Sequence, residues 1–132
     1  MGNLNAHDRK LLSDPNLVSV ATVNPDGEPR VTCIWVDLTD DHILLNGTDR
    51  RNWLRNLRRS PKVALSLHDR QNIYQRINVI GEVESITSEG AEEHIDVLAR
   101  KYTGAERYDQ HDPDEPRVLV RVKPLKISRM GF

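Results

Sequence analysis

The chain has 132 residues, 37% hydrophobic and 30% charged, which is the size and balance of one soluble domain spanning residues 1–132. No run of eighteen apolar residues exists, and residues 1–10 are polar, so neither a membrane span nor a signal peptide is expected, and a cytoplasmic protein is. A net charge of −1 argues against a general polyanion surface, and the single cysteine, Cys33, excludes an internal disulfide and a cysteine-based zinc site.

Residues 4–12 predict a short amphipathic helix that Asp14-Pro15 ends, because the residue before proline avoids helix. Residues 18–23 predict a strand, and Asn24-Pro25-Asp26-Gly27 a turn. Residues 30–38 are apolar on both faces in the middle and predict a central, buried strand, with Cys33 as an inert buried thiol. A strand follows over 42–46. Thr48 or Asp49 then caps a helix running to about Arg59, with Trp53, Leu54 and Leu57 as its apolar stripe. Strands are expected over 63–67 and 74–86, the second with Gly81 at a bulge or bend. Ser88 caps a helix from Glu89 to Tyr102, residues 103–116 form an acidic loop, and residues 118–122 form the last strand. Six strands with few helices and hairpin-length turns predict a mainly β, six-stranded antiparallel barrel with peripheral helices.

The basic residues are concentrated. Arg50, Arg51, Arg55, Arg58, Arg59 and Lys62 fall within residues 50–62, with no acid among them. The helix from Glu89 has acids at its start and bases at its end, as the macrodipole favours. The helix from Asp49 has Arg50 and Arg51 in its first turn, which the macrodipole opposes unless an anion binds there. Arg51, Arg55 and Arg58 also share one face by their spacing. The segment reads either as a phosphate site or as a solvated basic face.

No other pattern competes. The five histidines show no HxH or HxxxH spacing, so no metal site is expected. No GxSxG, Walker or GxGxxG motif is present. Trp35 reads as core or as a ring-stacking residue, and Tyr74 is equally open. With an anion site but no nucleophile or acid–base pair, any chemistry would be carried by a cofactor.

The pieces VATVNPDGEPRVTCIWVD, RNLRRSPKVALSLHD, NVIGEVESI, HIDVLARKYTG and RVLVRVKP, in that order, resemble the split-β-barrel flavin and deazaflavin oxidoreductases, the pyridoxamine-phosphate-oxidase-like superfamily. The deazaflavin-dependent branch is the nearest in pattern. The resemblance implies a split barrel of the FMN-binding type and a homodimer with cofactor sites at the subunit interface. It places the cofactor ring along residues 31–36, including Thr32, Cys33, Ile34 and Trp35. It places the phosphate on residues 47–56, including Gly47, Thr48, Arg50, Arg51, Trp53, Arg55 and Asn56, with Tyr74 as a further contact. Family members commonly carry threonine, glycine and lysine where this chain has Gly47, Arg50 and Trp53, and Arg50 is expected to replace the missing lysine charge.

The function implied is hydride transfer from reduced coenzyme F420 to a small organic acceptor. The alternatives are an FMN-dependent oxidoreductase or flavin-binding protein of the same fold, and a non-enzymatic module binding a tetrapyrrole or sequestering a cofactor. Nucleic acid is not an expected partner, because the rest of the chain is acidic and aromatics are few.

Overall fold

The computed structural model describes residues 3–131. The elements run α1 (Ala6–Ser13), β1 (Val18–Val23), β2 (Pro29–Ile34), β3 (Asp37–Thr39), β4 (His42–Thr48), α2 (Asn52–Arg59), β5 (Lys62–His68), β6 (Arg76–Thr87), α3 (Ala91–Thr103) and β7 (Arg117–Met130). All strand pairings are antiparallel. The sheet order is β2-β1-β5-β6-β7-β4-β3, curled into a half-barrel.

Local chemistry explains the boundaries. Asn5 caps α1 reciprocally: its side chain accepts from the Asp8 amide at 2.9 Å, and the Asp8 carboxylate accepts from the Asn5 amide at 2.8 Å. In the β1–β2 turn Gly27 has φ +88°, a conformation that favours glycine. Gly81 sits at a register shift between β6 and β7, where a Cβ would lie 2.6 Å from Val122 Cγ1. That bulge lets the two longest strands bend. The inward faces of β1, β4, β5, β6 and β7 meet α2 in one core that includes Val18, Leu45, Leu54, Leu65, Val79 and Val120.

The structure corrects several expectations. The strand expected over 30–38 is two strands, so the sheet has seven strands among the described residues and not six. The break falls at Trp35-Val36, where α3 takes over the backbone. The Tyr102 hydroxyl accepts from the Val36 amide at 3.0 Å, and Lys101 Nζ donates to the Val36 carbonyl at 2.6 Å. Neither half is central: β2 and β3 are the two edges of the sheet. Val31 is 69% exposed and Cys33 is exposed, so the thiol is not buried.

The second helix starts at Asn52, with Arg51 as its N-cap and no side-chain cap bond. Thr48 belongs to β4, and Asp49 and Arg50 form a turn before the helix. Asp49 N–H is used by the Pro116 carbonyl at 3.0 Å, which draws the chain across to β7 before the helix begins. The third helix starts at Ala91 behind Gly90, whose φ is +77°; Ser88 supplies a carbonyl for the Ala91 amide but no side-chain cap. The strand expected from Tyr74 begins at Arg76. No helix among the described residues is long and apolar enough to cross a membrane.

Candidate functional site

The antiparallel pairing of β4 with β7 places Thr48 opposite Arg117, and α2 follows β4 directly. The space between β2, the end of β4, the start of α2 and Arg117 is a cavity of about 360 Å³. Thr32, Cys33, Ile34, Gly47, Thr48, Arg51 and Trp53 line it, together with Arg30, Val31, Asn46, Asn52 and Arg117. Three of these are guanidinium groups, and no carboxylate lines the cavity among the described residues. Arg30, Arg51 and Arg117 form no ion pair among the described residues. Positive charge without an internal counter-ion, beside an edge strand with unpaired backbone groups, suits an anionic ligand with a flat polar-edged body.

Trp53 does not pair with an anion. It is buried, and its ring packs on Gly47: a Cβ at Gly47 would lie 2.6 Å from Trp53 Cζ2. Gly47 and Trp53 therefore form one packing unit, in which the glycine makes room for the indole. Two of the three departures noted in the sequence, at Gly47 and Trp53, are thus a single structural adjustment.

The arginines of residues 50–59 do not converge. Arg50 is exposed and lines none of the cavities described here. Arg58 pairs with Asp49 at 2.7 Å. Arg55 lines a separate hollow of about 400 Å³, with Arg30, Arg59, Asn52, Asn56 and Asp26 among its other walls. Arg30 and Asn52 border both spaces, so the two are neighbours. Asn56 is buried and ties α2 to β1, donating to Thr22 Oγ1 at 3.0 Å and Asn24 Oδ1 at 2.9 Å. Tyr74 is 70% exposed in the turn before β6 and lines none of these cavities. Of the expected arginine anchors, Arg51 alone lines the main cavity, with Gly47 and Thr48 of the same expected segment; Arg30 and Arg117 join them there.

Trp35 faces a second cavity of about 230 Å³ that shares Cys33, Ile34, Asn46 and Arg117 with the first. Its remaining walls are Leu17, Ile95, Leu98 and Tyr108. Trp35 is stacked on Tyr102 at 5.1 Å, with Tyr108 edge-on at 6.2 Å. Burial pushes the Tyr102 phenol up to about 12, so it stays protonated and donates to the Asn16 carbonyl at 2.6 Å. Burial pushes Lys101 down to about 8, although its ammonium holds the Leu12 and Val36 carbonyls.

A polar chain runs behind the two cavities. His94 Nε2 lies 3.0 Å from Asp37 Oδ2, and Asn46 Nδ2 lies 3.2 Å from His94 Nδ1 and donates to the Ala91 carbonyl at 2.9 Å. Asn46 Oδ1 accepts from Arg117 Nη1 at 3.0 Å, and Arg117 Nη2 donates to the Tyr108 hydroxyl at 3.1 Å. Burial pushes the Asp37 carboxyl up, but hydrogen bonds from His94 and the Leu38 amide outweigh it, and it sits below its ordinary value. Sequence reasoning missed this chain. Asn46, a polar residue after Ile43-Leu44-Leu45, carried a signal; Arg117 carried none, since only strand pairing brings it here.

Comparison with known proteins bears on the family and the fold. A pyridoxine/pyridoxamine 5'-phosphate oxidase of Gluconobacter oxydans is 30% identical over 116 residues, covering 80% of this chain and 53% of that protein. The chain spans about half the length of the curated relatives it matches. A solved F420 reductase superposes with a TM-score of 0.82 at 30% identity, covering 91% of this chain and 94% of that one. A conserved hypothetical protein of Mycobacterium tuberculosis has a TM-score of 0.72 at 26% identity, covering 98% of this chain and 84% of that one. The pyridoxamine 5'-phosphate oxidase family model matches residues 4–131, and the chain belongs to that family, within the split-barrel flavin and deazaflavin oxidoreductase superfamily.

Proposed function

We propose that the protein is an oxidoreductase that uses reduced coenzyme F420 to deliver a hydride to a small organic acceptor. The observation that carries this reading is the cavity of about 360 Å³ lined by Arg30, Arg51 and Arg117, with no lining carboxylate among the described residues. Such a donor set fits the phosphate of a flavin or deazaflavin, with the edge-strand backbone of β2 beside the ring. Bound there, the cofactor would supply the hydride; the chain's own residues bind it, orient it and wall the space. Trp53 and Ile34 supply apolar surface, and Arg51 and Arg30 supply charge.

The neighbouring hollow with Arg30, Arg55 and Arg59 favours F420 over FMN. F420 continues past its phosphate into an anionic tail, whereas FMN ends at the phosphate, so a second group of cations has an occupant only in the first case. The similarity to a solved F420 reductase supports the same choice. The working unit in this reading is a homodimer, in which a second copy covers the exposed edge β2 and Val31.

Fluorescence titration of the purified protein with F420 and with FMN tests the reading. F420 is expected to bind at least tenfold more tightly than FMN, and Arg55→Ala to narrow that difference. Tighter binding of FMN would move the assignment to a flavin enzyme. Binding of neither, with a Soret band on adding heme, would favour the tetrapyrrole module.

A further inference from the structure

We propose that the cavity lined by Trp35 and Tyr108 is a second ligand site, for a flat apolar molecule bearing one carboxylate or similar oxyanion, and that Arg117 receives the charged edge. The claim rests on the oxidoreductase reading only where it names that molecule as the hydride acceptor.

The walls decide the body of the ligand. Leu17, Ile34, Trp35, Ile95, Leu98 and Tyr108 are apolar or aromatic, and a flat molecule meets two aromatic rings held edge to face. The polar lining decides its edge. Asn46 and Arg117 are the polar side chains there apart from the Tyr108 hydroxyl and the Cys33 thiol. The Arg117 guanidinium is half-buried, and its side-chain partners are the neutral Asn46 oxygen and Tyr108 hydroxyl. The nearby Glu92 carboxylate is spent on the Arg117 backbone N–H at 2.9 Å and on His111 at 2.8 Å. A fixed, partly desolvated cation with no ion pair among the described residues, and only a weak longer-range attraction to Glu92, favours an anionic group brought by a ligand.

Arg117 is also held in place. Both protons of the Asn46 amide are engaged, one on the Ala91 carbonyl and one on His94 Nδ1. The amide oxygen must then face Arg117, since a flip would turn an NH₂ group onto a guanidinium. His94 Nδ1 is an acceptor in this arrangement, which leaves Nε2–H for Asp37. His94 is thus a positioning residue that acts on the ligand through Asn46 and Arg117.

The two tryptophans of the chain report on the two cavities separately, Trp53 on the first and Trp35 on the second. Their indole N–H signals in ¹⁵N-labelled protein, assigned with Trp35→Phe, provide the readout. We expect 2-naphthoate to shift the Trp35 signal saturably and to bind at least tenfold more tightly than 2-naphthalenemethanol. Arg117→Gln should abolish that preference. His94→Leu should weaken naphthoate about fivefold, whereas His94→Gln, which can accept from Asn46 and donate to Asp37, should stay within twofold of the parent. Equal affinity for acid and alcohol, or a naphthoate shift confined to Trp53, overturns the site. An equal loss in both His94 variants overturns the positioning role. Where Arg117→Gln does not fold, the acid-against-alcohol comparison on the unsubstituted protein decides. F420 and FMN added to the same sample separate the two ideas. If naphthoate moves Trp35 and neither cofactor moves Trp53, the second site stands and the F420 reading falls; the converse keeps that reading and removes the site.

Discussion

Helices α2 and α3 begin in opposite electrostatic settings. Helix α3 opens with Glu92 and Glu93 and closes with Arg100 and Lys101, and Glu92 is further engaged by His111 and the Arg117 amide. Helix α2 has no acid in its first turn and Arg51 as its N-cap, and since neither helix has a side-chain cap bond the difference between them is one of charge. The chain therefore serves the start of α3 from within and leaves the start of α2 to something else. What seats α2 is packing: Trp53, Leu54 and Leu57 are buried, and Asn56 hydrogen-bonds to β1 and its turn. A helix held by its apolar face can keep its N-terminus free for a ligand, whereas one whose end is engaged by its own loop cannot.

The contrast breaks most severely at Trp53. Trp53→Ala is expected to destabilise the fold by about 3–5 kcal/mol, the usual cost of emptying a buried aromatic site, measured by urea unfolding. Gly47→Thr should cost about 1–3 kcal/mol through overpacking against the indole. The double variant should cost less than the sum, because the two sites share one space. Additive losses would show that Gly47 and Trp53 are not one packing unit.

Ligand binding should separate the two helix starts next. Arg51→Ala is expected to weaken F420 binding by about 1.5–3 kcal/mol, the scale of a charged hydrogen bond, while Arg100→Ala at the end of α3 leaves it unchanged. A cofactor at one hundred times its dissociation constant should add about 2.7 kcal/mol to the stability of the parent. Thermal shift assays that give the same stabilisation with Arg51→Ala would place the anion elsewhere.

The start of α3 should show itself in pH dependence instead. His111 lies between Glu92 at 2.8 Å and Asp96 at 2.7 Å. Hydrogen bonds that His111 donates to Asp96 and then to Glu92 raise its pKa above the ordinary 6.5. The sign follows from linkage: the contribution is present in full below 6.5 and is lost as pH rises through the higher folded-state value. Hydrogen bonding to His111 also holds Asp96 below its ordinary 3.8, so that part is lost only in stronger acid. The melting temperature should fall from pH 6 to pH 8 in the parent and stay flatter in His111→Gln. An unchanged slope would show that the loop of residues 103–116 is not fastened by this charge.

The smallest effect belongs to the surface of α2. Arg58→Ala removes an exposed pair with Asp49 and should cost at most about 0.5 kcal/mol. Arg50→Ala should leave F420 affinity unchanged, because Arg50 lies outside the cavity. A loss at Arg50 as large as at Arg51 would restore the two-arginine anchor expected from the sequence.

Sequence alone determined what local chemistry controls. The turn at Asn24–Gly27, the strands β1 and β5, the bulge at Gly81 and the apolar stripe of α2 were all legible, because spacing and residue type set them within a few residues. The cationic segment was legible as charge, and the order of elements pointed to the family. Tertiary structure decided the rest. Residues 30–38 look like a buried strand, yet the contacts of Lys101 and Tyr102 with Val36 break it, and strand order puts both halves at edges. Arg117 enters the cavity because β7 pairs with β4 across 71 residues of chain from Asn46. Arg50 stays out of it because α2 starts only at Asn52, which leaves Arg50 in the preceding turn, and Arg55 lines the neighbouring hollow instead. Helix side chains advance by about 100° per residue, so where a charge points is set by how the helix packs and not by its place in a run of arginines.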